Sequence, residues 1–279
     1  MKPTQYLVFL LLPTVYFSQT DHSKFIYDDL DVTVEKPDKN KSYDANYNED
    51  NKIYKPGKKL TYSYSIVKNN QKYLIKKGNL EMQPEGFSVA GWEFVEFEKQ
   101  NDETVNYITI EPHPGNAFAG VDPGYNQTAI EYKYVMKNND FFSMETTGAI
   151  ENDMNVWIHP PRNIYFEILE LNPFPYIKAP YKIGTKWKWG LEIGDHWSDE
   201  RWLKWEGGIE NKYEYEIREK KNINTKLGNL ECYIVYGKAK SRIGETELTS
   251  YFNEQFGFVK LEYTNIDGSK TFFELEKAE

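Results

Sequence analysis

From residue 60 to residue 275 the chain is written in a period of two, and no other feature limits its fold as tightly. Leu60-Thr-Tyr-Ser-Tyr-Ser-Ile-Val67 sets the pattern, with Leu60, Tyr62, Tyr64 and Ile66 alternating against small polar residues. Successive side chains of an extended strand point to opposite faces, so this segment predicts a half-buried strand. The same reading predicts strands over 73–82, 92–98, 104–111, 129–136, 141–147, 164–171, 187–193, 213–219, 230–240, 246–252, 256–264 and 271–275. Asn69-Asn70, Asn101-Asp102, Asn138-Asn139-Asp140 and Asp267-Gly268 fall between them, and such residues suit tight hairpin turns. Past the N-terminal stretch no segment sustains a long helical period, although 153–171 has room for one or two short helices. The expected fold class is mainly β: a large curved antiparallel sheet, as a half-barrel or a sandwich, with few short helices.

The core of such a sheet has to come from rings. Cys232 is the only cysteine of the 279 residues, so no intramolecular disulfide can staple the domain. Aromatic residues make up 16% of the chain, and each large ring removes about 150–250 Å² from water. Parity places Cys232 with Leu230, Ile234 and Tyr236 on one strand face, which predicts a buried and unreactive thiol. Tyr233 and Val235 stand on the other face, so the strand is apolar on both sides. It must be covered on both, by a second sheet, a helix or a ligand.

Ahead of the strands, a lone Lys2 precedes an apolar run from Tyr6 to Phe17, and small and polar residues follow. That order predicts a signal peptide over 1–18, cut between Ser18 and Gln19, and an extracytoplasmic protein, periplasmic or secreted. The run is shorter than the roughly 20 residues that span a bilayer and is broken by Pro13, so no stable membrane span is expected. No cysteine follows it to take a lipid. Residues 19–59 read as a flexible polar lead-in, because 35–59 is rich in Lys, Asn, Asp and Glu and nearly empty of aliphatics. Residues 60–279 then form the antiparallel β domain. A faint echo, Lys55-Pro-Gly-Lys-Lys-Leu-Thr-Tyr62 against Lys182-Ile-Gly-Thr-Lys-Trp-Lys-Trp189, divides it into two halves, 60–154 and 183–279, joined by a Pro-rich crossover; so short a match is also what chance gives. The formal net charge of −9 is spread along the chain, which argues against nucleic acid as a partner, since neutralising phosphates takes clustered Lys and Arg.

Three C-terminal stretches carry a resemblance: Thr225-Lys-Leu-Gly228 opening a strand, Tyr251-Phe-Asn-Glu-Gln-Phe-Gly-Phe-Val259, and the closing hairpin over 265–275. This segment resembles the C-terminal half of exported bacterial domains of unknown function. Those domains are similar in outline to periplasmic half-barrels of the lipoprotein-chaperone type, in which a curved antiparallel sheet wraps an apolar cavity. The resemblance spans about fifty residues and contains no catalytic motif. It implies a fold and an apolar or lipid-like ligand rather than a reaction.

The residues that could carry chemistry are few. Five of the seven tryptophans lie between 187 and 205. Read as a hairpin turning near 194–199, this stretch puts Trp187 and Trp189 on one face but Trp202 and Trp205 on opposite faces. At least one of Trp197, Trp202 and Trp205 should then face a ligand, beside His196. The structural alternative is an aromatic hairpin packed on itself. His113, His159 and His196 sit in loop-like contexts without metal-ligand spacing, so no cofactor or metal is expected. There is no nucleophile elbow and no phosphate loop. Three readings follow: a non-catalytic binding protein for a lipid or other apolar small molecule, a carbohydrate-binding or cell-surface module using the tryptophans, and, more weakly, a hydrolase built around one of the histidines.

Overall fold

A computed structural model describes residues 22–26, 31–36, 50–82, 88–114 and 126–279. The expected signal peptide, its cleavage site and most of 112–127, a Gly- and Pro-rich stretch that reads as a long loop, lie outside the described residues. Two short strands, β1 (Phe25–Ile26) and β2 (Val34–Glu35), pair only with each other. All others join one 14-stranded antiparallel sheet. They are β3 (Leu60–Lys68), β4 (Gln71–Met82), β5 (Ser88–Glu96), β6 (Thr104–Pro112), β7 (Thr128–Met136), β8 (Phe141–Glu151), β9 (Asn155–Ile158), β10 (Tyr176–Lys178), β11 (Lys186–Ile193), β12 (Ile209–Thr225), β13 (Gly228–Ser241), β14 (Gly244–Asn253), β15 (Gly257–Thr264) and β16 (Lys270–Ala278).

Hairpin neighbours pair in sequence order, as the turn residues require; Asn69, Asn70 and Asn139 take positive φ at two of these turns. One long-range pairing, β16 on β3, joins the C-terminal strands to the N-terminal ones, and β5 hangs from β4 outside the main path. The resulting order runs from β10 at one edge to β11 at the other. Register shifts in several pairs add the local twist that curls a sheet. Curling brings the two edges face to face, with Tyr176 and Trp187 ring centroids 5.5 Å apart and Phe174 and Trp189 5.1 Å apart. The sheet is thus a nearly closed barrel whose seam is filled by rings instead of a ladder.

The segment Ile164–Leu171, read as a strand but lying where 153–171 had room for a short helix, is a 3-10 helix. Its sequence, Ile-Tyr-Phe-Glu-Ile-Leu-Glu-Leu, is apolar without the alternation of a half-buried strand, and all but Glu167 is buried. It plugs the barrel: Phe166 lies 5.3 Å from Tyr64, 5.5 Å from Phe273 and 5.8 Å from Tyr134. Asn163 Oδ1 accepts the Ile164 N–H at the plug's start, where Ile164 holds φ 55°. A β-branched residue there is strained, and the packing around it must hold it.

The lead-in reading of 19–59 fails for its described part, and order does not begin at Leu60. Phe25, Val32, Val34, Ile53 and Tyr54 are buried, Tyr54 completely. Asn155 clasps Thr33 on both sides, accepting its N–H at 2.9 Å and donating to its carbonyl at 3.0 Å. Glu151 accepts the backbone N–H groups of Lys52, Ile53 and Tyr54. Composition hid this because the apolar residues that anchor the segment occur singly or in pairs among charges. Cys232 is fully buried as parity expects, and burial pushes its thiol up to about 11. Tyr236 is only half-buried, with the Arg218 guanidinium 3.4 Å over its ring and its hydroxyl donating to Glu247.

Candidate functional site

The barrel interior offers little room. Between Tyr62, Ile108, Tyr132, Leu261 and Phe273 the void measures about 10 Å³, less than one water. Wider spaces are open elsewhere: one of about 620 Å³ has a charge-rich lining that includes Lys24, Glu35, Lys52, Glu151, Asp153 and Glu254, and another lies at the seam. A cavity of about 590 Å³ opens where β11 faces the ends of β8 and β9, with β1 and β2 forming a third wall. Trp157, Phe174 and Trp189 supply its rings, Val32, Val34 and Ile150 its aliphatic floor, and Asp31, Asn126 and His159 polar groups.

Each ring is fixed by the strand that bears it. Trp189 and Trp187 stand opposite Tyr213 and Tyr215 in the β11–β12 register, and each stacks on its partner, at 4.7 Å and 5.3 Å. Such cross-strand aromatic pairs stabilise a sheet beyond their burial. Trp157 meets Trp189 edge-on at 5.9 Å, and Phe174 lies between them. Gly190 exposes the edge of β11 here. A Cβ at Gly190 would find only the Asn211 carbonyl, at an ordinary 3.8 Å.

His159 connects the cavity to a buried polar group. Its Nδ1 lies 2.8 Å from the Pro160 carbonyl, an acceptor, so Nδ1 carries the hydrogen. Nε2 then turns its lone pair toward Glu170 Oε1, 3.3 Å away. A carboxylate there would set acceptor against acceptor, so a proton must lie between the two groups. Burial pushes Glu170 up to about 8 against the opposing pull of Arg162, and burial with the Arg162 charge pushes His159 down to about 3. Both directions describe a neutral acid beside a neutral imidazole. Glu145, raised by burial, accepts from the Tyr134 hydroxyl and from the Arg162 N–H. Nδ1 of His159 is thus committed to the Pro160 carbonyl, and Nε2 faces Glu170 Oε1, a buried oxygen that nothing else among the described residues bonds.

The structure separates the residues that sequence reading grouped. The stretch 194–208 is a loop, not a hairpin arm: β11 pairs with β12, and Asp195 Oδ2 closes the loop by accepting from the Gly207 N–H. Parity therefore has no hold on Trp202 and Trp205. Both are buried, Trp202 against Tyr165 at 6.4 Å and Trp205 among Leu171, Ile193 and Ile209. Trp197 is half-buried, with exposed His196 beside it at 5.0 Å. His113 lies on the outer face of the barrel, 3.7 Å from Glu131, far in the chain from the other two. Among the described residues no group of three or more His, Cys, Asp or Glu is placed to hold a metal ion. Sequence reading passed over Trp157 and Phe174, each in a run too short for a period. Their signal was the prolines around them, which end strands and turn the chain inward.

No family model matches the chain, and no curated protein matches it. Solved structures do. A protein from Bacteroides fragilis, described as exported and YmcC-like in fold, aligns with 81% of this chain and 97% of its own, at 11% identity and a TM-score of 0.40. A protein from Parabacteroides distasonis described as a lipoprotein covers the same shares at 10% identity and a TM-score of 0.44. The hypothetical lipoprotein YmcC from Escherichia coli aligns over 77% of this chain and 84% of its own, at 11% identity and a TM-score of 0.31. These alignments run well past the fifty C-terminal residues that carried the resemblance, and at such scores they transfer no site.

Proposed function

We propose that this chain works outside the cytoplasm as a non-catalytic binding protein that takes an apolar small molecule into the seam cavity. One observation carries the reading: a cavity of about 590 Å³ whose walls include the rings of Trp157, Phe174 and Trp189. Pockets that bury a drug-sized molecule fall in this range and pair aromatic walls with a few polar groups. Export is supported by the Lys2 and apolar-run pattern at the N-terminus. A lipid chain threaded along the barrel axis is disfavoured by the plug.

Native mass spectrometry of protein purified from its own compartment tests occupancy, and titration of tryptophan emission with apolar probes tests affinity. Leu191→Trp, on the same face of β11 as Trp189 and half-buried in the cavity lining, should fill the cavity. It is expected to abolish binding while leaving the thermal midpoint within a few degrees; unchanged binding would sink the reading. A second reading keeps exposed His196 and half-buried Trp197 as a sugar-stacking site, supported by their place side by side on the 194–208 loop. Loss of oligosaccharide binding in Trp197→Ala, with Leu191→Trp unaffected, would favour it.

A further inference from the structure

The seam cavity has a one-sided charge. Among its described lining residues Asp31 is the sole carboxylate, and there is no Lys or Arg. His159 could have added a positive charge, but its Nδ1 hydrogen is committed to the Pro160 carbonyl and its Nε2 faces Glu170. The cations nearest in sequence point elsewhere: Lys36 donates to the Ser23 carbonyl at 2.9 Å, Lys188 is bonded to Glu214 at 2.7 Å, Arg162 lies beside Glu145 and over the Trp197 ring, and Lys24 lines a separate cavity.

An anion entering such a site would lose its hydration, meet no cation and face Asp31. An uncharged ring system loses little and gains the three aromatic walls. An ammonium group gains further, since ring faces and a carboxylate both favour it. We infer that the seam cavity selects an apolar, ring-bearing molecule that is uncharged or cationic, and excludes anions, fatty acids included. The inference rests on the binding reading and narrows its ligand class.

Two fluorescent probes that share one apolar body separate the cases: uncharged phenylnaphthylamine and its sulfonated counterpart, anilinonaphthalene sulfonate. Each is titrated into the full chain at neutral pH, and dodecyltrimethylammonium and dodecanoate then compete for the bound probe. The uncharged probe should bind at least about ten-fold more tightly than the sulfonate. The ammonium should displace it and the carboxylate should not. Leu191→Trp should abolish the signal, and Asp31→Asn should weaken displacement by the ammonium alone. Equal or tighter binding of the sulfonate, or displacement by dodecanoate, would overturn the charge selection and leave the binding reading standing. Binding of neither probe to the wild-type chain, or binding that survives Leu191→Trp, would overturn both.

Discussion

Trp187 and Trp189 sit two residues apart on β11, whereas Trp197, Trp202 and Trp205 belong to the loop that follows, and the two groups are buried by different means. On β11 the ladder decides. Both rings face the barrel because both share one strand parity, and each meets a tyrosine fixed opposite it. In the loop no ladder acts, so each ring goes where local bonds and nearby apolar surface lead it. Trp202 donates Nε1–H to the Trp197 carbonyl and tucks under it, while Trp205 joins a separate small cluster. Rings in a strand can be placed from the sequence; rings in a loop need the contacts.

The largest test of this contrast is truncation. Trp189 is buried, stacks on Tyr213 and touches Trp157 and Phe174, so Trp189→Ala should cost about 3–5 kcal/mol. Trp197 is half-buried, and Trp197→Ala should stay within about 1 kcal/mol. Urea unfolding of the two mutants measures both. Equal losses would mean that the loop is as much a part of the core as β11.

The two regions should also answer pH in opposite senses. Beneath the seam, Glu170 is raised from the usual 4.5 to about 8. A carboxyl raised on folding gives stability that is whole below about pH 4.5 and is lost as pH climbs toward 8. Burial lowers His159 to about 3, so its contribution runs the other way, falling as pH drops from about 6.5 to 3. Glu170→Gln keeps a hydrogen donor toward Nε2 and removes the titration. Wild type and mutant should match near pH 5, and the mutant should lead by pH 8.5, by an amount on the order of 4 kcal/mol. Parallel pH profiles would show that no proton is shared there. In the loop, the Arg201 hydrogen bond lowers Asp199, whose stabilising effect appears as pH rises through its own range and is lost in acid.

How much of this was legible follows the same division. The strands of the sheet were readable wherever alternation ran for six residues or more between turn residues, as in β3, β12 and β14. Ile164–Leu171 was misread because eight mostly apolar residues carry no decisive period, and the barrel needed a plug more than another strand. The seam was illegible for a related reason. It is assembled from Val32, Trp157, Phe174 and Trp189, which meet only because β16 pairs with β3 and the sheet curls far enough for its edges to meet. His159 was visible as a candidate, but its engagement with Glu170 depends on that closure.

A smaller effect is expected where the N-terminal segment is fastened to the seam. Asn155 is fully buried and bonds both backbone groups of Thr33, while Asn152 adds a third bond to the Thr33 carbonyl. Asn155→Ala strands a buried N–H, which costs about 1–3 kcal/mol. It should also speed proteolysis within 22–36 ahead of the barrel itself. A mutant with wild-type stability and cleavage pattern would return that segment to the status of a lead-in.

The smallest effect belongs to the loop's ion pair. Arg201 donates to both oxygens of Asp199, at 2.8 Å and 2.6 Å, and spreads over Trp92 at 4.4 Å. The geometry is good, yet the Arg201 side chain is 45% exposed, and solvent and salt screen what remains. Arg201→Met removes the charge and keeps an apolar stem over Trp92. Its cost should be below about 1 kcal/mol and should shrink further in high salt. A loss that persists in salt would place the guanidinium's value in its stacking on Trp92 and Trp202, and would bring the loop closer to the seam in kind.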